Sequence, residues 1–402
     1  MFRTCIKVLI CLLSFIWIGE TNELIALVTL FRHGARTPIR LYENDPYKAV
    51  SSEIWPEGFG QLTNLGKNQH YELGQWFRER YKQFLPGRYH SDFLAVMSSD
   101  VDRCLMSAAA HLAGLYPPKD DQVWNERLSW QPIPIHTRPQ MEDMLIASER
   151  PCKKHDRLYQ ELLNSKSYLT FLEQQREILD YLSFHTGDNV TSLRDVFLIN
   201  DNLLVESKYY NLTLPDWTRN VFPQLLAPLA QLFIALPAIT PELGRLRSGP
   251  LIDYIATFLE NALKSNNTQK YLILSGHDFT IGTLLTTLGS NDHPLAEYAS
   301  SLIFELRKTK DNVPFVNLMF RNSTNLYGIK LKQCVFNCEF KQFSQIIAPV
   351  RTNVSVWEKE CSDVVFSDRQ FFLPHVSPFN QLLQYSSRSG LPRKFHHVWP
   401  FH

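Results

Sequence analysis

Arg32, His33 and Arg36 stand at the end of an apolar run, Leu27 to Phe31, that breaks at Gly34 and stops at Pro38. Two cations flanking one imidazole at a buried strand end make a place to hold an anion and attack it. Two further apolar runs also end in polar groups. Phe93 to Met97 leads through Ser98-Ser99-Asp100-Val101-Asp102 to Arg103, and Tyr271 to Leu274 leads through Ser275-Gly276 to His277-Asp278. Three converging arginines repel one another unless an anion sits among them, and guanidinium forks match phosphate oxygens. A phosphoryl group in its transition state spreads charge over equatorial oxygens, which such a cradle stabilises. An imidazole can hold that group covalently and split one hard step into two. A carboxylic acid such as Asp278 can protonate the leaving alkoxide and later help deprotonate water. Guanidinium charge takes the part a metal would play, so no metal or other cofactor is expected.

These residues need strands and helices to bring them together. Leu24 to Phe31 is nearly all apolar, as in a strand buried on both faces of a parallel sheet. Thr63 reads as the N-cap of a helix carrying Leu65, Tyr71 or Leu73, Trp76, Phe77 and Tyr81 near helical spacing. The serines and aspartates after Met97 suit a helix start, and Ala108 to Ala110 suits its body. Arg103 then lies in the first turn after a strand, where ligands sit in α/β sheets. The helix dipole disfavours a cation there unless an anion binds beside it. Trp130 to Pro139, with its spaced prolines, reads as an extended edge segment. From about Ile146 to Leu246 strand signals nearly vanish, and the stretch reads as a helical insertion with an exposed turn at Asn211 to Pro215. Leu251 to Leu263 reads as an amphipathic helix. Phe279 to Leu288 reads as another, with Asp278 at its N-cap and Gly289 as its stop. Ser301 to Arg307 and Val313 to Arg321 flank Lys310-Asp311-Asn312 as a β-hairpin. The expected class is α/β: a mixed, largely parallel sheet flanked by helices, with an inserted all-α domain.

The 402 residues suit two domains, or one large domain with an insertion. With 44% hydrophobic and 20% charged residues the chain can build a sizeable core. A net charge of +1 argues against wholesale nucleic-acid binding. Arg3 and Lys7 precede an apolar stretch, Val8 to Ile18, too short to span a bilayer comfortably. Residues 1–20 therefore read as a secretory signal rather than an uncleaved anchor. No later stretch has the ~20 apolar residues of a spanning helix, so no stable membrane anchor is expected. Residues 21–148 and 250–402 are assigned to the α/β domain and 149–249 to the helical insertion. Cys5 and Cys11 leave with the signal. Cys104, Cys152, Cys334, Cys338 and Cys361 remain, an odd number in an oxidising compartment. Cys334 and Cys338 can clip a local loop; no second Cys/His pair nearby favours zinc. Sequons at Asn189, Asn211, Asn266, Asn322 and Asn353 fit export.

Arg32-His33-Gly34-Ala35-Arg36-Thr37-Pro38 resembles the RHGxRxP signature of the histidine acid phosphatase family, and His277-Asp278 resembles its second signature. Ser98 to Arg103, Trp55 to Gly74 and Trp130 to Thr137 also resemble the animal prostatic and lysosomal members. The similarity runs in patches from Leu27 to Cys361. RHG alone is shared with phosphoglycerate mutases; the ordered combination with Arg103 and the distal His-Asp is specific. The resemblance implies a histidine phosphatase (phosphoglycerate-mutase-like) fold and metal-independent hydrolysis of phosphate monoesters at acid pH. It implies His33 as nucleophile, Asp278 as proton donor, and Arg32, Arg36, Arg103 and His277 as ligands of the phosphate oxygens. It also implies disulfides Cys152–Cys361 and Cys334–Cys338. Glu206 and Ser301 stand where the family's third bridge would be, and Cys104, where relatives usually have Thr, is expected free. The implied partners are small phosphate monoesters, with phosphoproteins and lipids left open, and a second copy of the chain, since relatives are often dimers. The lysosomal relatives' membrane-spanning tail has no counterpart here, which favours a soluble secreted or lysosomal-lumen protein.

Blander readings exist for each residue. His33 alone reads equally well as a hydrogen-bonded core histidine, until its flanking arginines and the distal His-Asp are added. Arg103 can form a surface salt bridge with Asp100 or Asp102. His70 is as easily structural as functional. His396, His397 and His402 fit a basic tail better than a metal site. Three other functions compete with the phosphatase. A phytase-like inositol phosphate phosphatase would be separated by a substrate panel. A silent secreted binding protein on the same scaffold is opposed by the intact residue set, and a mutase by the export signal.

Overall fold

A computed structural model describes residues 22–290, 295–331, 334 and 336–362. The expected signal, residues 1–20, and the histidine-bearing tail lie outside the described residues. In chain order the elements are β1 (Glu23–Arg32), α1 (Ser51–Ile54), α2 (Asn64–Arg80), β2 (Leu94–Ser98), α3 (Asp102–Leu115), α4 (Lys153–Leu163), α5 (Lys166–Gln174), α6 (Arg176–Thr186), α7 (Leu193–Leu204), α8 (Leu226–Ala235), α9 (Pro241–Ala262), β3 (Tyr271–Gly276), α10 (Asp278–Thr287), β4 (Ser301–Lys308), β5 (Pro314–Arg321), β6 (Leu326–Gly328), β7 (Cys338–Glu339), α11 (Phe340–Ile347) and α12 (Val354–Cys361).

The sheet is mixed, with order β2-β3-β1-β4-β5-β6 and β7 on β5. Its parallel part is β2-β3-β1; the expected hairpin, β4 and β5, continues it antiparallel from β1. Arg32 pairs with Gly276, and Ser98 with Ser275, so the three parallel strands finish at one level. Successive strand residues point to opposite faces, which explains the unbroken apolar runs. Val28, Leu30, Leu272 and Leu274 pack toward α9 and α10, while Leu27, Phe31, Tyr271 and Ile273 pack toward α2 and α3. The Trp130 to Pro139 segment does lie along the sheet edge, through a bridge of His136 to Met97.

Thr63 caps α2 as expected, its hydroxyl accepting from the Gly66 N–H at 3.1 Å. The buried stripe of α2, however, is Gly66, His70, Leu73 and Phe77. Leu65 and Tyr71 are exposed, because α2 presents a glycine rather than an apolar side chain to the loop after β1. A Cβ on Gly66 would stand 2.2 Å from the Ala35 carbonyl, and one on Gly34 would stand 2.3 Å from the Gly66 carbonyl. The two backbones meet where neither position admits a side chain. The N-cap of α10 is His277 rather than Asp278, its N–H donating to Thr280 Oγ1 at 3.2 Å.

The helix expected from Leu251 begins ten residues earlier, at Pro241, and runs through Pro250. Proline has no N–H for the carbonyl four residues back. Trp357 Nε1–H supplies that bond instead, donating to the Leu246 carbonyl at 2.7 Å. Residues 249 and 250, where the sequence reading passes from insertion to α/β domain, therefore lie inside one helix. A second core, from Leu162 to Leu243 together with Tyr42, fills the space between α4–α8 and the start of α9. Cys152–Cys361 and Cys334–Cys338 are bonded, and Cys104 is free and buried.

Inside the second core's rim lies a carboxyl pair. Asn202 Nδ2 donates to Asp45 Oδ2 at 2.8 Å and to Glu206 Oε1 at 2.7 Å. All three residues are buried. Burial and then the Asp45 carboxylate push the Glu206 carboxyl from 4.5 up to about 9. The folded chain thus keeps a proton that the unfolded chain releases above its ordinary pKa. Stability should fall as pH rises between these values, by up to about 1.4 kcal/mol per pH unit. Denaturant titrations across that range should show this slope, and Glu206→Gln should flatten it. An unchanged slope in the variant would refute the assignment.

Candidate active site

The level strand ends place Arg32, His33 and Arg36, Arg103, and His277 with Asp278 at one end of the sheet. Arg32 is the last residue of β1, Arg103 lies in the first turn of α3, and His277 and Asp278 join β3 to α10. The loop carrying His33 is clamped from two helices. The Gly34 N–H donates to Ser107 Oγ at 3.1 Å, and the Ser107 hydroxyl donates to the Arg103 carbonyl at 2.6 Å. The Ala35 N–H donates to Gln69 Oε1 at 2.8 Å, and its carbonyl accepts from the Thr63 hydroxyl at 2.9 Å. His70 lies behind the site, its Nε2–H donating to the Arg32 carbonyl at 3.0 Å. The contact supports the end of the strand.

His33 is 2% exposed. Its Nδ1 lies 2.9 Å from the Gly34 carbonyl, so Nδ1 carries the proton and Nε2 keeps a lone pair. Burial, then the charges of Arg103, Arg32 and Arg36, hold its pKa well below the usual histidine value. The neutral form of the ring is therefore favoured. The His277 ring meets it edge-on, centroids 5.6 Å apart. Burial and then Arg103 lower His277 to about 3, and its Nε2 is 2.9 Å from Ser99 Oγ. Cys104 Sγ lies 3.6 Å from the same nitrogen, and burial pushes that thiol up to about 11.

Two of the three arginines have carboxylate partners. Arg32 Nη2 is 2.9 Å from Asp278 Oδ2, and its Nη1–H donates to the Ala296 carbonyl at 2.6 Å. Arg36 forms a two-pronged pair with Asp201, at 2.9 and 3.0 Å. Arg103 has no carboxylate partner among the described residues, and burial lowers its pKa. The alternative salt bridge of Arg103 with Asp100 or Asp102 does not form. All three arginines keep a buried Nε without a hydrogen-bond partner. Burial alone would raise Asp278, but Arg32, Arg36 and His277 hold its carboxyl below the usual carboxylate range. The set can hold a tetrahedral oxyanion against a neutral imidazole and offers one carboxyl near it.

Sequence reasoning missed Asp201 and Tyr298. Asp201 sits on α7 in the helical insertion and is 5% exposed. Its signal was a charged residue among the apolar positions Val196, Ile199 and Leu203. The buried Tyr298 ring lies 4.1 Å from the Arg32 guanidinium and 5.7 Å from that of Arg36. An aromatic face suits such cations, but nothing in the local sequence distinguishes this tyrosine from a core residue. Removing one partner of a buried pair leaves an uncompensated charge. Asp201→Ala should lower stability by about 3–5 kcal/mol, read by denaturant unfolding, and Asp201→Asn by less. A loss below ~1 kcal/mol for Asp201→Ala would show that Arg36 finds another partner.

The family model described as "Histidine phosphatase superfamily (branch 2)" matches residues 23–321. The chain is 35% identical over 364 residues to the lysosomal acid phosphatase of Xenopus laevis, covering 89% of this chain and 83% of the relative. It is 36% identical over 350 residues to the prostatic acid phosphatase of Bos taurus, covering 85% and 89%. Among solved structures, the phytase from Citrobacter braakii superposes with a TM-score of 0.62 at 18% identity, covering 84% of this chain and 99% of that one. That likeness speaks for the fold. With a clamped His33 beside the buried Arg32 and Arg36 and the partly buried Arg103, and a family match over residues 23–321, the chain belongs to branch 2 of the histidine phosphatase superfamily.

Proposed function

We propose that this chain is an acid phosphatase that hydrolyses phosphate monoesters through a phosphohistidine on His33, in a secreted or lysosomal lumenal setting. The observation that carries the reading is the buried His33, its pKa lowered, beside three guanidiniums that each keep a buried, unpartnered Nε. The relatives' names, lysosomal and prostatic acid phosphatase, support both activity and compartment. Exposed sequon asparagines at 189, 211, 266 and 353 agree with export.

Arg32, Arg36, Arg103 and His277 bind the phosphoryl oxygens. His33 Nε2 attacks phosphorus in line as the P–O bond to the ester oxygen breaks, and Asp278 gives its proton to that oxygen. Water then attacks the phosphohistidine, losing a proton to Asp278, and phosphate leaves with His33 restored. The resting pair Arg32–Asp278 gives this sequence its pH dependence. An incoming phosphate shares the Arg32 charge, so Asp278 loses part of what keeps it ionised and faces a second negative group. Both changes favour its protonation. Acid supplies that proton while burial and the arginines keep His33 neutral, so turnover should fall as pH rises.

His33→Ala should reduce hydrolysis of p-nitrophenyl phosphate by at least about a thousandfold while circular dichroism stays unchanged. Near-normal turnover would end the nucleophile assignment. Asp278→Asn tests the acid. It should slow an alkyl phosphate about a hundredfold or more, and p-nitrophenyl phosphate much less, because the latter's leaving group needs little protonation. Equal losses on both substrates would remove Asp278 from that role.

A further inference from the structure

Four arginines among the described residues have a buried Nε with no hydrogen-bond partner: Arg32, Arg36, Arg103 and Arg247. The first three lie in the cradle around His33. Arg247 lies on α9 and lines a separate cavity of about 270 Å³ with Arg150, His155, Leu246 and Trp357, and two carboxylates, Glu149 and Asp156, line it too. None of these residues belongs to the cradle.

Arg247 carries its charge there without an ion-pair partner. Its Nη1–H donates to the Ser148 carbonyl at 2.8 Å and its Nη2–H to the Ala147 carbonyl at 3.5 Å. No carboxylate lies at ion-pair distance among the described residues. Burial lowers its pKa, opposed by the charges of Glu149, Tyr159, Asp156 and Asp143, none of them in an ion pair with it. Asp143 is already engaged, both oxygens accepting from the backbone N–H groups of Leu145, Ile146 and Ala147. The Asp156 side chain is 70% exposed, and Glu149 is exposed as well. Arg150 is bonded to Glu358 at 2.7 Å, and His155 Nε2–H donates to the Pro237 carbonyl at 2.8 Å. A guanidinium buried on carbonyl oxygens alone lacks the anion that normally accompanies it.

We propose that this cavity is a second anion site, in which Arg247 holds the carboxylate or phosphate of a small organic anion whose compact apolar body rests on Leu246 and Trp357. The volume exceeds what a bare inorganic oxyanion fills, and the apolar wall suits a ring or short chain. The site stands independently of the phosphatase reading, because no catalytic group lines it.

The test uses 4-bromobenzoate, with the anomalous signal of bromine as readout, soaked into crystals of the full protein. A bromine peak beside Trp357 is expected. The neutral isostere 4-bromobenzamide should give none, which tests the charge requirement without altering the protein. Isothermal titration should show binding weakened at least about tenfold in Arg247→Gln, with hydrolysis of p-nitrophenyl phosphate retained. Bromine in the catalytic cradle alone overturns the proposal. So does equal binding of the amide, undiminished binding by Arg247→Gln, or a Glu149 carboxylate seated on Arg247 in its place.

Discussion

Three guanidiniums confined beside one imidazole form the constraint on which the rest of the structure depends. Such a cluster cannot be buried without compensation, and two carboxylates, Asp201 and Asp278, answer three arginines. The strands must finish at one level to place the groups. The loop of His33 must be clamped by α2 and α3 to fix the ring. The glycines at 34 and 66 must let two backbones meet closely enough for that clamp. Burial first, and then the excess of positive charge, favours the neutral form of His33, and the same charge suits an anion. Positive surroundings that would be a liability in a core here add to what burial does for the imidazole.

The sequence showed the parts of this that are local. Apolar runs broken by glycine or serine gave three strands and the polar groups at their ends. Alternating residues gave the hairpin, and Thr63 gave the start of α2. What lay beyond it were relations between distant segments. Asp201 is some 165 residues from the arginine it holds, and only packing of α7 over the sheet brings them together. The burial of Leu65 and Tyr71 was misjudged because a helical stripe led by a glycine and a histidine does not read as apolar. The N-terminal half of α9 was missed because Pro250 reads as a breaker. The tryptophan that donates to its orphaned carbonyl is 111 residues away.

The helical insertion is more than a cover. One helix, α7, carries Asp201 on Arg36 and Asn202 on the buried carboxyl pair, and it runs on into Glu206 in a π-helical turn, Val205–Tyr209. The grip on Arg36 and the proton held by Glu206 therefore share one rigid element. The segment between Asp143 and Ser148 plays a similar part on the other side. Its Ile146 carbonyl accepts from the Thr280 hydroxyl at 2.6 Å, in the first turn of the helix that bears Asp278.

The Cys152–Cys361 disulfide spans 209 residues and closes around the whole insertion, β3, α10 and the hairpin strands. Everything that completes the cradle apart from the segments of β1 and α3 lies within that ring. A single proteolytic cut anywhere between these two cysteines would open the ring without releasing either piece. Nicking in the exposed turn at Asn211 would yield two polypeptides still joined covalently. Such a chain can be nicked and remain one covalent molecule until the bridge is reduced.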